Sequence, residues 1–187
     1  MPRILELSGK ILSGAREGRA AQERLLAAAL ADFADVIELD FAGVEFATAS
    51  YLREAVFGVR SALERDGVRA PVIVLNASPA VEEDLAIVAR SLGTAIASVS
   101  GTKDAGRKGR VLGVLEEAQR DTLSALAECG EASATELHEK FPSSPPVLVT
   151  AWNNRLAALA SKGVVFEVRS GREKRYRLMA EELEYGR

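Results

Sequence analysis

The stretch SPPVLVTAWNNRLAALASKGVVFEVRSGREKRYRLM, residues 144–179, decides the fold of the C-terminal half of this chain. Its first part has apolar residues at four- and three-residue steps, which predicts a helix with one buried face. These residues are Leu148, Trp152, Leu156 and Leu159. Pro145 and Pro146 suit the entry to a helix, where a missing N–H is tolerated. Gly163 is placed to end the helix, because glycine readily adopts the left-handed conformation needed there.

After Gly163 the apolar period changes to two, which predicts a β-hairpin with its turn at Ser170-Gly171. We expect five apolar side chains on one face of the hairpin, namely Val164, Phe166, Val168, Tyr176 and Leu178. Its tip and outer face carry the basic residues Arg169, Arg172, Lys174, Arg175 and Arg177. Although the whole chain has a net charge of −3, residues 144–178 hold seven basic residues against two glutamates. One surface of an acidic protein can therefore attract a polyanion.

This helix and hairpin resemble the recognition helix and wing of bacterial winged helix-turn-helix regulators. The resemblance covers about residues 118–179 and is carried by three motifs. They are Asn154-Arg155-Leu156, Lys162-Gly163-Val164-Val165 and Gly171-Arg172 followed by Arg175-Tyr176-Arg177-Leu178. It implies binding to double-stranded DNA, with the helix in a major groove and the wing on the backbone or in the minor groove.

The side of the predicted helix opposite its apolar stripe carries Thr150, Asn153, Asn154, Ala157 and Ser161. Amides and hydroxyls can hydrogen-bond base edges, and alanine permits close approach or contact with a thymine methyl group. We therefore predict base contacts here, the alternative being a solvated polar face. The five hairpin cations have no obvious matching acids, so we predict that they contact phosphates, the alternative being a solvated hairpin.

Four other residues of this half have open interpretations. Arg155 lies near the apolar stripe, where it either contacts DNA or holds a carbonyl or carboxylate of the protein. Trp152 is mid-stripe and is expected in the core. His138 is expected at the surface. Cys129, the only cysteine, is expected to fill a buried space, with an exposed redox-sensitive thiol as the alternative.

The N-terminal half alternates predicted strands and helices, which indicates an α/β layer with much parallel pairing. The strands are predicted at Ile4 to Leu7, continued by Ile11-Leu12, at Val36 to Phe41, after Pro71, and at Thr94 to Val99. A helix of about fifteen residues begins near Arg16. A second helix is capped by Thr48 or Ser50, and a third begins at Ser78-Pro79.

The segment ELDFAGVEFATASYLREAVFGV, residues 38–59, resembles the STAS-like fold of bacterial anti-anti-sigma proteins and their relatives. The resemblance covers about residues 4–100 and implies a domain that works through contact with a protein partner. In that family a serine at this helix N-terminus is phosphorylated, and Ser50 is the matching position. The alternative is that the Ser50 hydroxyl only caps the helix.

The boundary between the two halves is predicted at the polar, glycine-bearing segment Gly101 to Arg110. The predicted organisation is an α/β STAS-like domain (1–102), a linker (103–110) and a winged helix of the α+β class (111–187). A first helix of the second domain is expected from Val111 to Cys129. A short helix capped by Ser133 or Thr135 follows it, and Pro142-Ser143-Ser144 form the next turn.

The composition, with 48% apolar and 27% charged residues among 187, is typical of a soluble globular protein. No apolar run has the length of a membrane span, and the N-terminus lacks a signal-peptide core. We expect a cytoplasmic protein without a disulfide or a cysteine-based zinc site.

The chain has no glycine-rich phosphate loop, no His/Cys ligand set and no nucleophile–base pair. We therefore expect no enzyme activity, no cofactor and no metal. The predicted function is a homodimeric DNA-binding transcriptional regulator whose STAS-like domain takes its input from a protein partner. Two alternatives remain open: a partner-switching interaction protein that does not bind DNA, and a sensor of a small molecule at the strand ends of the first domain.

Overall fold

The structure, a computed structural model, describes residues 2–31, 34–101, 106–142, 146–170 and 173–185, without the side chains of residues 169 and 170. Its strands, in chain order, are β1 (Pro2–Glu6), β2 (Ile11–Leu12), β3 (Val36–Asp40), β4 (Phe46–Ala47), β5 (Val72–Leu75), β6 (Ala95–Ser100), β7 (Lys108–Gly113), β8 (Glu131–Ala132), β9 (Val165–Ser170), β10 (Glu173–Leu178) and β11 (Glu182–Glu184). Its helices are α1 (Ala15–Leu30), α2 (Ala49–Leu52), α3 (Gly58–Arg65), α4 (Pro79–Ser91), α5 (Glu117–Cys129), α6 (Ala134–Lys140) and α7 (Val149–Ser161), and a π-helical segment (Arg53–Phe57) joins α2 to α3.

The fold is mixed α/β around a mostly parallel sheet of six strands in the order β1-β3-β5-β6-β7-β11. The first four strands are parallel neighbours that follow one another in chain order. Right-handed crossovers that always advance in the same direction place their helices on the same face of the sheet. One face is therefore covered by α1 to α4, and the other, which we call the open face, receives no helix from these crossovers.

The helix-covered face holds the larger apolar core. Sheet residues such as Leu39 and Val74 pack there against helical residues such as Leu52, Val56 and Leu85. The predicted strand after Pro71 is confirmed as β5, and the helix predicted to begin at Ser78-Pro79 is confirmed as α4, which Ser78 caps. These features were predictable because each is specified by residues that are adjacent in sequence.

The C-terminal half covers the open face. Val36, Ile73 and Val99 of the sheet form a buried cluster with Met179 and Ala180. Phe166 of the hairpin and Leu183 of β11 pack against this cluster. The turn at Gly163 also lies on the sheet, since a Cβ atom at this position would come within 2.5 Å of the Val72 carbonyl oxygen.

A second core lies within the C-terminal half. Helices α5, α6 and α7 pack on a three-stranded antiparallel sheet of order β8-β10-β9, with Leu126, Leu137, Leu156 and Tyr176 at the centre. Ser133 caps α6 in a capping box with Glu136, which confirms one of the two predicted caps.

The prediction for the junction is wrong in two respects. Lys108–Gly113 form β7, so residues 108–110 are part of the sheet and not a linker, and α5 begins at Glu117 and not at Val111. Leu112 and Leu115 have helical spacing, but antiparallel pairing with β6 and burial of Leu112 in the helix-side core place this segment in a strand. Glu116 then starts α5 through a capping box with Gln119.

Three smaller expectations also change. Ile11-Leu12 pair with β4 in a separate two-stranded sheet and do not continue β1. Leu148 is 66% exposed because it precedes the first turn of α7. In the hairpin register Tyr176 lies opposite Glu167, and Leu178 lies opposite Val165. Phe166 and Val168 therefore occupy the other face of the hairpin, which is turned to the open face of the large sheet.

We predict that Gly163→Ala lowers the free energy of unfolding more than Gly67→Ala does. Both glycines have left-handed φ angles, of +71° and +75°, but an alanine Cβ would meet nothing within 4 Å at Gly67. The left-handed conformation alone costs roughly 1–2 kcal/mol, and overpacking against Val72 adds roughly 1–3 kcal/mol. Urea denaturation of both variants measures the difference. Equal losses would contradict packing of this turn on β5.

Candidate nucleic-acid interface

The residues predicted to contact bases lie together on one exposed face of α7. This α7 polar face consists of Thr150, Asn153, Asn154, Ala157 and Ser161, all of which are exposed. The opposite side buries Trp152, Leu156 and Leu159 in the C-terminal core. The Ser161 hydroxyl donates to the Ala158 carbonyl at 2.9 Å, so it is partly engaged within the helix. The Asn153 and Asn154 amides thus face solvent, and the sheet does not cover them.

His138 of α6 bonds to the segment that leads into α7, a role that the sequence did not indicate. His138 is half-buried, and its Nδ1 lies 2.8 Å from the Val147 carbonyl oxygen. A carbonyl only accepts, so Nδ1 carries the proton and donates. His138, expected at the surface, is thus only partly exposed and is engaged in a bond within the protein. Nothing in the spacing of His138 and Val147 could have indicated this bond, because it depends on the packing of two helices.

Arg175 is bound to acids of the protein at its surface and does not extend freely from the hairpin. Its guanidinium donates to Glu131 Oε1 at 2.9 Å and to Glu136 Oε1 at 2.9 Å. A hydrogen bond from Arg175, followed by one from the Ser133 backbone, holds the pKa of Glu136 below its usual value. The expectation that the hairpin cations have no matching acids is thus wrong for Arg175, which fastens β10 to β8 and α6.

Lys174 also has an acid partner, since its Nζ lies 3.1 Å from Glu167 Oε2 on the neighbouring strand. Glu167 accepts a weaker bond from the Tyr176 hydroxyl at 3.4 Å. Burial, and then the charge of Glu167, raise the pKa of Tyr176 to about 12. Lys174 remains exposed, so it keeps access to solvent while part of its charge is neutralised.

The remaining cations near this surface differ in their environments. Arg177 is exposed and lies over the Phe166 ring at 5.2 Å from its centroid. Arg155 lies over the Trp152 ring at 5.7 Å, and no carbonyl or carboxylate of the described residues bonds to it, so the predicted intramolecular acceptor is not found. Arg172 and the side chain of Arg169 lie outside the described residues.

The candidate regulatory serine lies in the α/β half, on α2. Thr48 caps α2, with its Oγ1 accepting from the Tyr51 backbone N–H at 3.4 Å and from that of Gly14 at 3.2 Å. Ser50 is the second residue of the helix, is exposed, and has its Oγ 3.2 Å from Thr48 Oγ1. The alternative in which Ser50 itself is the cap is therefore wrong, and its hydroxyl faces solvent beside the cap.

We predict that Arg175→Gln lowers the thermal unfolding midpoint more than Arg177→Gln does. The first substitution removes bonds to two glutamates on two elements, whereas the second removes only the stacking on Phe166. Differential scanning calorimetry of both variants tests this. A smaller loss for Arg175→Gln would contradict its role in joining the hairpin to α6.

The Arg175–Glu136 pair also predicts a pH dependence. The pKa of Glu136 is lowered on folding from an ordinary value of 4.5, so its contribution to stability is present above that value and is lost as the pH falls through the folded-state pKa. The wild-type protein should therefore have a larger free energy of unfolding than Glu136→Gln at neutral pH, and the two values should become equal in acid. Urea denaturation at several pH values measures this difference. A difference that is independent of pH would refute the ionic character of this contact.

Within the described residues, no group of three or more His, Cys, Asp or Glu side chains is placed to hold a metal ion. No helix there is long and apolar enough to span a membrane. Comparison of the chain with protein-family models, with curated proteins and with solved structures gives no match.

Proposed function

We propose that this protein is a DNA-binding transcriptional regulator in which α7 enters the major groove of double-stranded DNA. The observation that supports this best is the α7 polar face, an exposed row of amides and small side chains on a helix without acids. Residues 146–166 contain no aspartate or glutamate, so nothing on this helix repels a phosphate backbone.

The order of elements supports the same proposal. Three helices, α5, α6 and α7, are followed by the β9–β10 hairpin, and β8 lies between the first two helices. Winged helix-turn-helix proteins have this arrangement, in which the third helix contacts bases and the hairpin lies against the backbone. By this analogy α6 and α7 are the helix-turn-helix pair, and Asn153 and Asn154 hydrogen-bond adenine edges.

In this proposal the α/β half has a STAS-like role and receives a signal from a protein partner. Ser50, exposed beside the α2 cap, is the position at which such a signal would act. The DNA-binding form is a homodimer, because two half-sites bound together raise the affinity of a small domain.

A partner-switching protein that does not bind DNA is the second candidate. It is favoured by the neutralisation of the hairpin, where Lys174 and Arg175 are paired with Glu167, Glu131 and Glu136. A hairpin whose charges are matched internally attracts phosphates less strongly. The two candidates differ in one measurable property, the affinity for duplex DNA and its dependence on salt.

We expect the wild-type protein to bind duplexes selected from a randomised pool, with log affinity falling by about 0.9 per neutralised phosphate for each unit of log salt. Asn153→Ala and Asn154→Ala should each reduce the preference at particular bases by about 1–3 kcal/mol. Competition binding with single-base variants of the selected duplex measures this loss.

Ser61→Ala is the matched control, since Ser61 is an exposed polar residue of α3 on the helix-covered side of the sheet. Its base preference should equal that of wild type. Absence of duplex binding by the wild-type protein at low salt would remove the DNA-binding proposal and leave the partner-switching candidate.

A further inference from the structure

Arg155 combines partial burial with a contact to an aromatic ring of the core. Its guanidinium lies over the ring of Trp152, one turn earlier in α7, with its central carbon 5.7 Å from the ring centroid. Arg155 is half-buried, and Trp152 is 5% exposed, so the ring is a fixed support. Within the described residues Arg155 forms no ion pair, and α7 carries no acid that could provide one.

Three other partly buried cations of the C-terminal half use their N–H groups within the protein, whereas Arg177, which lies over the Phe166 ring, is exposed. Lys162 donates to Gln119 Oε1 at 2.8 Å, Arg120 donates to the Leu115 carbonyl at 2.8 Å, and Arg175 donates to two glutamates. Arg155 makes a cation–π contact with the Trp152 ring, and none of its N–H groups is hydrogen-bonded to a described residue, so these donors are available. Arg155 is thus oriented by the protein without its donors being consumed.

Among the described residues, no acid of α5, α6 or β9, the elements packed against α7, forms a salt bridge with Arg155. Glu136 of α6 already accepts from Arg175 and from the Ser133 backbone N–H. A partly desolvated cation without an acceptor is unfavourable, and an external anion that hydrogen-bonds to it removes this cost. The environment of Arg155 therefore fits a ligand with anionic oxygens.

The position of Arg155 on α7 indicates which part of a duplex supplies those oxygens. At about 100° per residue it lies about 100° around the helix from Asn154, between the α7 polar face and the apolar stripe, and so outside the centre of the exposed face. A helix in a major groove turns the centre of its exposed face to the bases and its flanks to the backbone. We infer that Arg155, supported by Trp152, binds a backbone phosphate and so fixes the position of Asn154 over the bases. This rests on the proposed DNA-binding function and adds to it a residue that sets the register.

Arg155→Gln tests the inference on duplexes selected by the wild-type protein. The slope of log affinity against log salt should decrease by about 0.9, the value for one phosphate contact. The ratio of the wild-type affinity to the Arg155→Gln affinity should therefore fall by roughly three- to fourfold when the salt concentration rises fourfold. The base preference of the bound complex should be retained. Arg155→Lys keeps the charge and should keep most of the slope.

Two variants serve as controls. Arg65→Gln removes an exposed cation of α3 and should leave the slope unchanged. Asn154→Ala should lose base preference while keeping the slope. Trp152 is the only tryptophan of the chain, so its emission reports folding of every variant and, in wild type, the arrival of DNA beside it. If Arg155→Gln is unfolded, Arg155→Met, which keeps an apolar stem beside Trp152, is measured in its place.

The inference would be overturned if the wild-type protein bound DNA and a folded Arg155→Gln or Arg155→Met variant had the same salt dependence of affinity as Arg65→Gln. In that outcome Arg155 only packs on Trp152, and the proposed function stands. Absence of duplex binding by the wild-type protein at low salt would instead remove the proposed function and, with it, this role for Arg155.

Discussion

The open face of the parallel sheet is the constraint on which the rest of the fold depends. Because the first four strands follow one another in chain order, their crossovers leave apolar residues such as Ile73 and Val99 without helices above them. Leaving such residues in water forfeits about 1.5–3 kcal/mol each. The hairpin and the segment after it cover this face through Phe166, Met179 and Ala180. The C-terminal half is thus part of the sheet's packing as well as a structure with its own core.

The two halves are also joined by a strand pair and by a buried ion pair. Strands β7 and β11 precede and follow the helices and hairpin of the C-terminal half, and they pair with each other in the large sheet. On the same face as Val36, Glu38 bonds to Arg107 at 2.8 Å, with side chains 2% and 17% exposed. A buried ion pair is satisfied in only one arrangement, so it favours a single docking geometry. In the proposed regulator, a change in the α/β half would reach α7 through this packed interface.

Features that depend on residues close together in sequence could be predicted. Features that depend on contacts between distant residues could not. Ser78 and Ser133 could be predicted as caps because each hydroxyl bonds a backbone N–H three residues away. The strand at Lys108–Gly113 could not be predicted in this way. Its own residues are compatible with a helix or a strand, and pairing with β6 decides for the strand. The acids that hold Arg175 precede it by 44 and 39 residues, so a local count of charges does not reveal them. The α7 polar face was predictable because helical periodicity alone determines which side chains share a face.

Because Lys174 and Arg175 of the hairpin are paired with acids, α7 rather than the hairpin would supply most contacts of a DNA-binding surface. The charge of residues 144–178 indicated the hairpin as the main source of phosphate contacts, yet Lys174 and Arg175 are bound to acids of the protein. Cations that are already paired gain less from a phosphate, because the existing bonds must be broken or shared. Asn153, Asn154 and Arg155 have no such competition on α7. In the proposed regulator the helix would therefore provide the groups best placed to meet a duplex, and the hairpin would contribute chiefly through Phe166, which packs on the open face.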